Sequence, residues 1–204
     1  MHRIVALAAL ALCASSTSAR ADGVYVTEAI GGSDVKGELS QYVSSAFRIR
    51  LALGYRFGRW AAEGWLAGDL GVDRDGPRVR DTLPTSLGEV GLDLKHLWPV
   101  SKHLDIYLRG SASHAGASYG IDGYGGRGLG VGAGIQLEGK VPVLGFLAWP
   151  LFFTNWGPKV NAALFVDTGA DFYRLHEHGD LGNPRAVDGT LTRLTVGWGI
   201  GSDF

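Results

Sequence analysis

The stretch Ala46-Phe47-Arg48-Ile49-Arg50-Leu51-Ala52-Leu53-Gly54-Tyr55-Arg56-Phe57 decides the fold. In an extended chain, successive side chains point to opposite faces. Phe47, Ile49, Leu51, Leu53, Tyr55 and Phe57 therefore share one face, and Arg48, Arg50, Ala52, Gly54 and Arg56 share the other. This is a strand with one greasy face and one cationic face. Gly58-Arg59 supplies a two-residue turn, after which Trp60, Ala62, Gly64, Leu66, Gly68 and Leu70 alternate with Ala61, Glu63, Trp65, Ala67 and Asp69. The two segments read as a β-hairpin.

The same period of two recurs on either side. From Leu87 to Leu97, Val90, Leu92 and Leu94 stand against Glu89, Asp93 and Lys95; then Leu104, Ile106 and Leu108 stand against Asp105, Tyr107 and Arg109. Apolar rows follow at Leu129 to Leu137, Val160 to Phe172 and Leu194 to Phe204, and a weaker one runs from Val24 to Ile30. The expectation is an all-β, eight-stranded antiparallel transmembrane β-barrel, because strands of about ten residues suit a tilted bilayer crossing. Connections alternate accordingly. Those at 31–45, 71–84, 114–127 and 173–190 read as long external loops, and those at 58–59 and 98–103 as short turns beside the chain ends. The sixth connection, 139–157, breaks the pattern, being long, apolar and interrupted by Pro142 and Pro150. It reads either as a segment lying in the membrane interface or as a lumen plug or oligomer contact. Tyr55, Phe57, Trp60, Trp98, Trp149, Trp156 and Phe204 are expected at one membrane boundary, and Tyr42, Phe47, Phe172 and Tyr173 at the other. A soluble lipocalin-like barrel would also alternate, with its apolar face inward and its charges in water.

Residues 1–21 read as a secretory signal peptide. His2 and Arg3 precede an apolar core from Ile4 to Leu12, and Ala19-Arg20-Ala21 offers a small-x-small cleavage site. The core is too short for a spanning helix. Residues 22–204 would form one barrel domain, and with Cys13 in the signal that domain carries no thiol. A formal net charge of −1 with no basic run speaks against a nucleic-acid partner. The 32 glycines are spread through apolar segments, where they mark curvature or close backbone approach.

The last segment, Leu194-Thr195-Val196-Gly197-Trp198-Gly199-Ile200-Gly201-Ser202-Asp203-Phe204, resembles the C-terminal assembly signal of outer-membrane proteins, with Val196, Trp198, Ile200 and Phe204 as its apolar row. Ser202 departs from the ideal alternation. Together with Leu51-Ala52-Leu53-Gly54-Tyr55-Arg56-Phe57, the chain resembles the small outer-membrane β-barrels of the OmpA-like and OmpX-like type. That resemblance implies bacterial outer-membrane location, outer-membrane lipid as surroundings and the barrel-assembly machinery as a partner during biogenesis.

With the apolar rows toward lipid, the opposite rows fill an interior about one side chain wide. The expected lumen network comprises Arg48, Arg50, Arg56, Lys95, Arg109 and Arg193 with Glu63, Asp69, Glu89, Asp93, Asp105, Glu138, Asp167 and Asp171. Pairing is expected, because uncompensated charge in a desolvated space is costly. The interior is otherwise read as ionic apart from Trp65, Tyr107 and Phe165. A closed barrel of this kind suits a structural or adhesion-type anchor whose external loops, including Asp73 to Gly76 and Asp122 to Arg127, meet a surface ligand that the sequence does not name. The competing readings are OmpW-like transport of small hydrophobic solutes and, by resemblance, a lipid A modifying barrel enzyme. For the latter, Ser113-His114, Ser118 and His176-Glu177-His178 have no defensible catalytic spacing. Neither a cofactor nor a metal is expected, since His176 and His178 supply only two ligands.

Overall fold

The computed structural model describes residues 22–41, 45–70, 86–119, 122–142, 159–178 and 186–202. Eight strands form a closed barrel in sequence order: β1 (Gly23–Gly37), β2 (Ser45–Phe57), β3 (Trp60–Leu70), β4 (Ser86–Pro99), β5 (Leu104–Tyr119), β6 (Asp122–Pro142), β7 (Lys159–His178) and β8 (Ala186–Gly201). Every pairing is antiparallel between neighbours, and β8 returns to β1 through Tyr25↔Gly201 to Gly37↔Gly189. Ser202 fastens this seam, donating its amide to the Val24 carbonyl at 3.0 Å and accepting the Val24 amide on Oγ at 3.1 Å. Closure leaves no unpaired edge, the condition for spanning hydrocarbon with strands.

The alternation of Ala46–Phe57 is realised with its apolar face outward. Leu53, Leu66, Leu92, Leu129, Val131 and Leu164 are each 60–69% exposed, whereas Arg48 is fully buried. This inverts the soluble alternative, in which the charges would meet water. A continuous apolar belt of that size belongs in lipid. At the end of the barrel carrying the Gly58-Arg59 turn, the His96 ring sits edge-on between Trp60 and Trp98, with centroids 4.4 and 4.5 Å away, and Tyr55 stacks on Phe57. These rings form the girdle expected at a membrane boundary. Gly58 takes φ 61°, the left-handed region that the tight turn requires.

The strands are longer than the sequence reading allowed, reaching 21 residues in β6. The segment 114–127, read as a loop, is instead the tip of the β5–β6 hairpin, paired as far as Tyr119↔Asp122. Asp122 to Arg127 is therefore strand and not loop. Likewise 31–45 shrinks around a 3-10 turn, Glu38–Gln41, and 173–190 is mostly strand. The cause is physical: beyond the lipid belt the outer face also meets water, so period two loses its apolar half. The sixth connection is narrowed from both sides, by β6 to Pro142 and by β7 from Lys159, and its remainder lies outside the described residues. So do residues 1–21, 71–85 and Phe204. Tyr173, assigned to the outer boundary, points inward and is 3% exposed.

Candidate functional site

The inward positions build a filled lumen in three tiers. Nearest the turn end, Arg56 reaches Asp105 at 3.2 Å and Glu138 at 2.8 Å, and Gln136 donates to the same Glu138 oxygen at 2.9 Å. In the middle, Glu63 accepts from Lys95, from Arg50 at 2.9 Å and from the Tyr25 hydroxyl at 2.9 Å. Asp93 beside it accepts from Arg50 at 2.8 Å and from the Trp65 indole at 2.7 Å, with Arg109 at 3.4 Å. Arg109 also grips Asp167, which takes the Tyr107 hydroxyl as well.

Farther from the turns, Arg48 forks onto Glu89 at 2.7 and 3.0 Å and shares one nitrogen with Asp69 at 2.9 Å. Asp69 also accepts from Ser33, and Glu89 from the Tyr173 hydroxyl at 2.6 Å. Arg193 pairs with Asp171, which accepts from Ser111 too. The structure thus places all fourteen charged residues of the expected network on the lumen side and gives each an ionic partner.

The arrangement is built around one aromatic ring. The guanidinium groups of Arg48, Arg50 and Arg193 lie 5.8, 5.3 and 5.7 Å from the centre of the Trp65 ring. The ring's negative face attracts them where water is scarce. Lys95 sits similarly over Tyr107 and Phe165. Each buried ion loses several kcal/mol of hydration, which only such paired and hydrogen-bonded geometry offsets.

Two features escaped the sequence reading. The lumen is not ionic throughout: beyond the outer tier, Val35, Leu39, Leu87, Leu175, Val187 and Leu191 form a buried apolar cluster across the barrel end, with Tyr173 among them. The parity of Leu175 with Asp171 and Tyr173 was the available signal, since residues two apart share a face. The second is a row of inward glycines on β6, Gly126, Gly128, Gly130, Gly132 and Gly134. A Cβ at Gly134 would overlap the Tyr107 ring, at Gly128 the Tyr173 ring, and at Gly130 the Asp171 carboxylate. This wall of the barrel is bare so that large side chains from the neighbouring strands β5 and β7 can lie across it.

Of the sequence-level catalytic candidates, Ser113 and His114 fall on opposite faces of β5. The Ser113 hydroxyl donates to Tyr173 at 3.1 Å, and His114 points outward. His176 also points outward on β7. In the assembly row, Val196, Trp198 and Ile200 face outward.

No protein-family model matches the chain, and no curated protein matches it. Solved structures do. Neisserial surface protein A (NspA) is similar at 16% identity and a TM-score of 0.51, over 87% of this chain and 96% of that one. A major outer membrane protein from Thermus thermophilus is similar at 13% identity and 0.48, covering 89% and 99%. Ail, the attachment invasion locus protein of Yersinia pestis, is similar at 14% identity and 0.43, covering 87% and 97%. With its closed eight-strand wall, outward apolar belt and ionic interior, this chain has the fold of the small outer-membrane β-barrels.

Proposed function

We propose that the chain is an integral protein of the bacterial outer membrane whose closed barrel serves as an anchor, presenting its far end at the cell surface for binding of an adhesion type. The observation that carries this reading is the filled lumen: three tiers of ion pairs, the middle and outer ones meeting on Trp65, with the Leu87–Leu175–Leu191 cluster beyond them. A transport reading needs an open internal path, and the buried, paired side chains of the lumen speak against one. The chain ends and short turns would lie on the periplasmic side.

Catalysis is left out of this reading on the divergence of Ser113 and His114, which lie on opposite faces of β5. The test is conductance of the refolded chain in planar bilayers, where no steady current is expected and large stable pores would overturn the closed-anchor reading. Bacteria with and without the gene should differ in retention on epithelial monolayers while yielding identical lipid A mass spectra. Equal retention would remove the adhesion role, and altered acylation would replace it with an enzyme.

A further inference from the structure

We propose that the outer wall formed by β5 to β8 carries a binding groove for a phosphate-bearing membrane lipid, with Arg127 and Arg174 as its headgroup ligands. The inference rests on the membrane placement above. Along β6 the outward row runs Leu137, Ile135, Ala133, Val131, Leu129 and then Arg127, and along β7 it reaches Phe172 and then Arg174. From Leu137 to Leu129 a strand tilted about 40° rises roughly 20 Å, close to the height of an outer-membrane apolar band. The two arginines therefore mark the level where hydrocarbon gives way to headgroups on the side away from the turns.

They are also direct cross-strand partners, Arg127↔Arg174, and like charges placed opposite each other are destabilising. Compensation within the chain is incomplete. Arg174 lies 3.7 Å from Asp188, its neighbour on β8, with both side chains about two-thirds exposed. Arg127 has no ion pair among the described residues, and its other neighbour across the sheet is His114. His176 lies one outward position farther along β7, and Lys36 on β1 pairs with Asp34. Glu38 adds a second carboxylate, accepting the Asp188 amide at 3.5 Å, but within the groove's own lining two arginines meet one carboxylate, Asp188.

Beneath the arginines the wall is concave. A groove of about 750 Å³ runs from Arg127, Arg174 and Asp188 down to Ala112, Leu129 and Phe172. Cations at one end and an apolar floor at the other match a phosphate with its acyl chain. A free anion would use only the first half, so the groove commits to a lipid. Guanidinium is suited to phosphate because its fixed fork donates two parallel hydrogen bonds.

The full chain would be reconstituted in phosphatidylcholine vesicles doped with phosphatidic acid, extracted in neutral detergent, and the co-purifying lipid counted by native mass spectrometry. Wild type is expected to retain phosphatidic acid above its bulk share. R127Q/R174Q should lose that enrichment, on the order of fivefold for each arginine, R127K/R174K should keep part of it, and K102Q at the turn end should leave it unchanged. Equal retention by wild type and R127Q/R174Q, an equal loss in K102Q, or displacement by inorganic phosphate at comparable concentration would each overturn the proposal. Failure of any variant to enter vesicles would show on a heat-modifiability gel. Failure of wild type to enter them would overturn the membrane reading itself, so the two failures are distinguishable.

Discussion

Trp65 donates its indole N–H at 2.7 Å to Asp93 on the neighbouring strand β4, its ring lying over Gly91, its direct cross-strand partner, which leaves room for it. The ring thereby ties the middle tier to the outer one, since Arg50 and Arg48 lie on it from different tiers. Trp65→Ala removes the packing and exposes Asp93, and is expected to cost about 3–5 kcal/mol. Trp65→Phe keeps much of the ring but leaves the carboxylate one donor short, for about 1–3 kcal/mol. Urea unfolding in lipid vesicles measures both, and a Trp65→Phe variant as stable as the wild type would show that the indole N–H contributes nothing.

The Arg48 fork allows the pairing to be separated from mere burial. Arg48→Met leaves Glu89 and Asp69 facing each other without their shared cation, and a loss of about 3–5 kcal/mol is expected. The triple variant Arg48→Met with Asp69→Asn and Glu89→Gln removes the unpaired charge as well, and should recover most of that loss. A triple variant as unstable as the single one would mean that Arg48 acts through its packing on Trp65 and not through its charge.

The β6 glycine row gives a sharper test of how tightly the lumen is filled. Gly134→Ala pushes a methyl group into the Tyr107 ring, itself held by Asp167, and is expected to destabilise by about 1–3 kcal/mol. Gly139→Ala, on the same strand with open space around it, should be neutral or slightly stabilising. The contrast is read from urea midpoints under one lipid condition, and similar midpoints would show that Tyr107 yields freely.

These tests fall where the sequence was least legible. Ala46–Phe57 announced its two faces because lipid and lumen differ in polarity at every step. In β6 the inward face from Gly126 to Gly134 is glycine, which carries no polarity, so only that spacing hinted that something large lay alongside. The charged positions could be assigned to the lumen from parity alone. Their partners could not, because Arg56–Glu138 and Glu89–Tyr173 join residues 82 and 84 positions apart across the barrel, and that depends on how the strands stagger on closure. The apolar cap was hidden for a related reason. Leu175 and Leu191 look lipid-facing by type, and only counting from Asp171 and Arg193 turns them inward.

Glu28 is the exception that parity exposes on the other face. It alternates outward with Val26 and Ile30 and lies between Leu51 on β2 and Trp198 on β8, in the middle of the apolar belt. No ion pair holds it among the described residues, and its side of the wall faces hydrocarbon. A carboxyl group there costs less than a mid-membrane arginine or lysine but is still unfavourable, so Glu28→Leu is expected to stabilise the barrel by about 1–2 kcal/mol. Glu28→Gln should gain less, because the amide remains polar. Both are read from unfolding in phosphatidylcholine vesicles. A loss of stability in Glu28→Leu would show that the carboxyl group makes a favourable contact at the lipid surface, and repeating the measurement across protein-to-lipid ratios would then tell a second copy of the chain from bound lipid as its partner.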